Sequence, residues 1–203
     1  MNHKQLAELC ELSYHKSDFA TPEGISFIRK ETDQNHVIAI RGTEISFLDL
    51  LRNLAIWPRS LGGIDSHAGY AAGWQSIQDA VEMLCSPIKL GANNTKPVIL
   101  TGHSAGGAIA LIGAGEYIRK RKPISACVTF GAPKASDNES PILESITTQY
   151  IHARDPIPSW LGHTDYKHVR KMYVGGNESS PWWKKSLDCH GIDLYKKLTG
   201  ERE

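Results

Sequence analysis

The stretch that most constrains this chain is "KPVILTGHSAGGAIALIGAGEYIRK", Lys96 to Lys120. It opens with an apolar, β-branched run, turns on a lone serine between glycines, and continues with apolar residues at helical spacing. Strand, tight turn and helix are predicted in that order, with the helix over 104–121. A short run this apolar suits a strand buried on both faces, as in a parallel sheet covered by helices. "SACVTFG" (125–131) and "TQYIHA" (148–153) are runs of the same kind. Strands that alternate with helices predict an α/β fold, a mainly parallel sheet with helices on both faces.

Upstream, "ISFIRK" and "HVIAIRG" flank the turn-prone "ETDQN" and predict an early hairpin. Trp74, Ile77, Val81 and Leu84 step by three and four residues, so 71–86 is expected to be an amphipathic helix that covers the sheet. The Gly- and Pro-rich pieces are short enough to be loops, and residues 1–203 are read as one domain. The 23 basic and 22 acidic residues give a net charge of +1 with no long run of one sign, which argues against a nucleic-acid partner. Cys10, Cys85, Cys127 and Cys189 are widely spaced, without a CxxC pair, and are read as free, mostly buried thiols. Near the N-terminus, Leu6, Leu9 and Cys10 have helical spacing among charges and lack the unbroken apolar centre of a signal peptide. No transmembrane segment is visible either. The expected location is therefore cytoplasmic, or outside the cell by a route without a cleaved signal peptide.

Residues 102–106, "GHSAG", fit G-x-S-x-G between a strand and a helix, the context that gives this pattern mechanical meaning. Glycines two positions either side of Ser104 let strand and helix pass closely, so that the serine Oγ projects from the end of the sheet. The N-terminus of the following helix has unpaired N–H groups, and the amide of Ala105 can face an oxygen that becomes negative during acyl transfer. The plainer alternative is a serine that caps a helix in a glycine-rich turn.

A serine hydroxyl needs a general base, and the base needs an orienting acid. Asp155 directly follows the strand expected over 148–152, at the end of the sheet where α/β folds build their sites. It also precedes a proline, where turn aspartates are common. His190 lies late in the chain, in a loop before a short terminal helix. It is one of nine histidines and could equally be a surface or helix-start residue.

Several stretches, in the same order along most of the chain, resemble the class 3 lipases, typified by the fungal triacylglycerol lipases, within the α/β-hydrolase fold. "VIAIRGTE" resembles that family's strand ending in F-R-G-T/S, and "HAGYAAGW" its H-x-G-F segment. "GHSAGG" is similar to G-H-S-L-G-G, "VTFGAPKAS" to F-G-A-P-R-V-G, and "ARDPIPSW" to N-D-x-V-P-x-L-P. The resemblance implies Ser104 as nucleophile, Asp155 as orienting acid, His190 as base, and Thr43 with Ala105 as oxyanion donors. It also implies a lid after the R-G-T motif, where residues 45–57 carry Ile45, Leu48, Leu51 and Leu54 at helical spacing; an ordinary core helix is the alternative.

The expected activity is hydrolysis of carboxylic esters of acyl glycerols or related lipids through a serine acyl-enzyme, without a metal or organic cofactor. The expected partners are a lipid or small ester substrate and, through the lid, a transient lipid interface. A carboxylesterase or phospholipase with the same triad, or an inactive hydrolase-like binding protein, are the competing readings. This chain departs from the family pattern at Ala105, where leucine is usual, in its short length, and around His190, where the match is weaker. Four histidines follow the nucleophile. His152 lies in the strand leading to Asp155, His163 in a loop, and His168 in "YKHVRKMYV", which alternates like a strand. These placements leave His190 as the expected base.

Overall fold

The computed structural model describes residues 1–42, 58–61, 64–86, 96–137, 140–160, 166–175 and 186–200. In chain order the elements are α1 (His3–Leu12), β1 (Phe19–Ala20), β2 (Ser26–Glu31), β3 (His36–Ile40), β4 (Pro58–Leu61), β5 (Ile64–His67), α2 (Ala68–Cys85), β6 (Val98–His103), α3 (Ala105–Arg119), β7 (Ile124–Phe130), α4 (Pro141–Ile146), β8 (Thr147–His152), α5 (Ile157–Trp160), β9 (Lys171–Gly175) and α6 (Ile192–Gly200), with a 3-10 turn over Leu187–Cys189. A seven-stranded sheet has the order β1-β2-β3-β6-β7-β8-β9. The pairs β1/β2 and β2/β3 are antiparallel, and the pairs from β3 across to β9 are parallel. β4 and β5 form a separate antiparallel ribbon.

The period of two along the central strands divides the core. Ile38, Ile40 and Leu100 point to one face, where they pack with Trp74, Ile77 and Val81 of α2 and with α3. Val37, Ala39, Ile99 and Val128 point to the other, where Leu6, Leu9 and Cys10 of α1 meet Tyr195 of α6. The helices thus cover both faces. α3 is buried nearly all round, and its small residues make this possible: Gly113 lies directly beneath the indole of Trp74. The stripe predicted over 71–86 is the buried face of α2, which begins three residues earlier, with His67 at its N-cap.

All four cysteines are free and buried, and burial pushes the Cys10 and Cys127 thiols up to about 12. The strand pattern around His168 needs correction, because β9 begins only at Lys171. Before it, the Val169 amide donates to the Gln149 side chain and Lys167 is bridged to Ser136 instead of β8, so regular pairing with β8 starts only at the end of this stretch. Thr43, the segment 45–57 and His163 lie outside the described residues.

Candidate active site

Ser104 sits between β6 and α3 with φ 54° and ψ −129°, a backbone conformation that costs a non-glycine residue about 1–3 kcal/mol. The neighbouring glycines make the turn possible. A Cβ on Gly102 would run into the Gly106 carbonyl and come 2.6 Å from the Gly107 nitrogen. A Cβ on Gly106 would strike the Ile40 carbonyl oxygen at the end of β3 and lie 2.7 Å from the Arg41 carbonyl carbon. Strand and helix therefore pass at backbone contact, as the glycine spacing predicts.

Although Ser104 occupies the N-cap position of α3, its side chain makes no capping bond. Its Oγ lies 2.9 Å from His190 Nε2. This geometry disfavours the helix-cap alternative, because a capping serine turns its oxygen onto the helix N–H groups. The Ala105 amide begins α3 and has no backbone acceptor among the described residues. It is an N–H donor held beside the hydroxyl.

His190 follows the 3-10 turn Leu187–Cys189, and its Nδ1 lies 2.8 Å from Asp155 Oδ2. Asp155 is 0% exposed and stands just past the end of β8, its amide bonded to the His152 carbonyl. The two oxygens of this aspartate serve different partners. Oδ1 accepts from the Ile157 amide at 2.9 Å, as in a turn aspartate, while Oδ2 faces the imidazole. With the carboxylate accepting at Nδ1, the proton belongs there, and Nε2 turns its lone pair to the serine hydroxyl.

Sequence reasoning missed a third contact to the acid. The Tyr195 hydroxyl, buried on α6, donates to Asp155 Oδ2 at 2.7 Å and accepts from the His152 amide at 3.0 Å. Burial, with the Asp155 charge next, pushes the Tyr195 phenol well above its ordinary range, so it stays a donor. In a single sequence an aromatic on the buried face of a terminal helix looks like core, and nothing in "IDLYKKL" marks it otherwise.

Of the other candidate bases, His152 and His168 are bonded elsewhere. His152 accepts the Arg154 amide at Nδ1, and His168 is tied to Pro158. His103, next to the nucleophile, is buried between Tyr14 and the His190 backbone. Among the described residues no cluster of three or more His, Cys, Asp or Glu side chains could hold a metal ion, and no helix is long and apolar enough to cross a membrane.

The buried histidines set a pH dependence of stability. Burial, with the nearby His190 charge next, pushes His103 down to about 3, and burial pushes His168 down to about 4. Both values lie below the unfolded 6.5, so the unfolded chain takes up these protons first. Their contribution is fully present above pH 6.5 and is lost as pH falls toward the folded values. At pH 5 each should cost about 2 kcal/mol relative to pH 7. Urea midpoints at the two pH values measure this; an unchanged midpoint would mean that neither imidazole is held neutral.

A mostly parallel sheet with helices on both faces, a strained serine elbow between strand and helix, and an acid and histidine on later loops define the α/β-hydrolase fold. Residues 37–164, more than half of the chain, match the family described as Lipase (class 3), and the chain belongs to that family. A relative, the secreted mono- and diacylglycerol lipase 1 of Fusarium solani, is 26% identical over 129 residues, which are 60% of this chain and 38% of that protein. A lipase from Rhizopus microsporus var. chinensis shares the fold at a TM-score of 0.65 and 20% identity, over 89% of this chain and 77% of that one. A triacylglycerol lipase whose catalytic centre is formed by a serine protease triad shares it at 0.60 and 20% identity, over 80% of this chain and 66% of that one.

The Fusarium solani relative is a secreted enzyme, and this corrects the expectation of a cytoplasmic chain or of export without a cleaved signal. The charged N-terminal segment on which that expectation rested is α1, a structural helix packed under the sheet. Its lack of leader character reflects its place in the core and is no evidence of compartment.

Proposed function

We propose that this chain is a serine hydrolase that cleaves carboxylic esters of acyl glycerols or related lipids through an acyl-enzyme. The observation that carries the reading is the continuous series from Ser104 Oγ to His190 Nε2, and from His190 Nδ1 to Asp155 Oδ2. Ser104 attacks the ester carbonyl as His190 takes its proton. The oxyanion is held by the amides of Ala105 and Thr43. His190 then protonates the departing alcohol. Water, deprotonated by the same histidine, releases the fatty acid and restores the serine. Thr43 enters from the family pattern, supported by the position of Gly42 against the Ser104 side chain, which brings the chain out of β3 beside the nucleophile. Residues 1–203 act as one hydrolase domain in this proposal.

Residues 45–57 are proposed as a lid whose apolar side meets a lipid interface. The support is the helical spacing of Ile45, Leu48, Leu51 and Leu54 directly after the R-G-T motif. Rates on a series of p-nitrophenyl esters and on emulsified triglyceride test the whole reading. Hydrolysis should rise steeply as substrate passes from monomer to emulsion, and replacing Leu48 and Leu51 by serine should flatten that rise while sparing soluble short esters. A smooth saturation curve through the solubility limit in both proteins would make the segment a core helix and the enzyme an esterase. No turnover of any ester would sink the hydrolase reading.

A further inference from the structure

The residue before the nucleophile does more than complete a strand. His103 Nε2 lies 2.6 Å from the backbone carbonyl oxygen of His190, and its Nδ1 lies 2.7 Å from the Tyr14 hydroxyl. A carbonyl can only accept, so Nε2 carries the proton. Nδ1 is then the acceptor, and the Tyr14 hydroxyl donates to it. The two histidine rings lie against each other at a tilt of 35°, with centroids 4.7 Å apart.

Held in this way, base and nucleophile close a short ring. Ser104 is covalently joined to His103, whose Nε2–H binds the carbonyl of His190, whose own imidazole returns to Ser104 Oγ at 2.9 Å. Among the described residues, the other backbone bonds at His190 come from its own loop. The loop's bonds at Cys189 and His190 are local, to Ser186 and Leu187, and the Ser186 amide anchors its start to the Arg154 carbonyl. A Cβ on Gly191, which follows, would point into open space. Tyr14 adds a second junction, because Gly42 lies so close to its hydroxyl that a Cβ there would collide with it, and that Cβ would also come 2.8 Å from the His103 carbonyl oxygen. One hydroxyl therefore touches both the nucleophile strand and the chain leaving β3.

We infer that His103 and Tyr14 are positioning residues that set the distance between His190 and Ser104 through the His190 carbonyl, with Tyr14 fixing the tautomer that makes His103 a donor. The inference rests on the proposed serine-hydrolase reading. Any buried imidazole needs partners; what points to positioning is that one partner is the backbone of His190 itself and the other, Tyr14, also touches the chain leaving β3.

The test compares two amides of different reach. In His103→Gln the side-chain nitrogen falls near the imidazole Nε2 and can still donate to residue 190, whereas in His103→Asn it falls near Nδ1 and cannot. A displacement of about 1 Å at a reacting group costs about 10²-fold in rate. On a soluble p-nitrophenyl ester, with rates expressed per folded molecule, His103→Asn should lower kcat about 10²-fold at nearly unchanged KM, and His103→Gln should recover most of it. Tyr14→Phe, which keeps the imidazole and its packing, should lower kcat about tenfold, and it carries the test if His103→Asn does not fold. Equal losses in the Gln and Asn variants, or native kcat in Tyr14→Phe, would overturn the inference. Ser104→Ala measured in parallel separates the two claims: if it keeps activity, the serine-hydrolase reading itself has failed.

Discussion

Ser104→Ala is expected to lower ester turnover about 10⁶-fold while the protein stays folded, because members of a nucleophile-base-acid unit fail together. The fold should survive. Ser104 makes no side-chain cap to α3, so alanine removes only the bond to His190 and keeps the Cβ that the strained elbow already accommodates. Asp155→Asn should cost less, about 10⁴-fold, since the histidine remains but its tautomer and orientation are lost. Turnover and a urea midpoint on each purified variant check both parts. Near-native turnover by Ser104→Ala would remove the serine from the chemistry.

The second large effect distinguishes the histidines. His190→Ala should match Ser104→Ala in severity, whereas His152→Ala and His168→Ala should leave the chemical step nearly intact. His152 and His168 are bonded to the Arg154 amide and the Pro158 carbonyl, so their loss disturbs local packing and not proton transfer. His163→Ala should be similarly mild. Assays of the four variants at saturating soluble ester read the difference directly. An inactive His168→Ala beside an active His190→Ala would require a different base.

How far these features were legible depends on whether the signal was local. The elbow was, because a strand, two glycines at fixed offsets and a helix leave almost no other geometry for "GHSAG", and the Gly102–Gly106 contact explains why. Ser104, Asp155 and His190 are singled out together by the family resemblance, with motif order and loop position beside it, and the three lie within hydrogen-bond reach. Tyr195, His103 and Tyr14 could not be named in advance, since their partners are 40, 87 and 89 residues away and no local pattern marks such contacts.

Smaller elements failed for other reasons. β1 has two residues, too few for alternation to show. α4 carried a readable start signal, Ser140 as N-cap, Pro141 in the first turn and Glu144 close behind, but six residues are too short to display a helical stripe. At 166–170 alternation suggested strand, but the Val169 amide turns to the Gln149 side chain and Lys167 pairs with Ser136, so β9 joins β8 only from Lys171.

The central claim is that Ser104 carries the acyl group, and mass spectrometry of the protein after reaction with a fluorophosphonate measures this most directly. The wild-type chain should gain one phosphonyl group, located on Ser104, in step with loss of ester hydrolysis, and Ser104→Ala should gain none. A label on another residue, or full hydrolysis persisting after Ser104 is modified, would contradict the account.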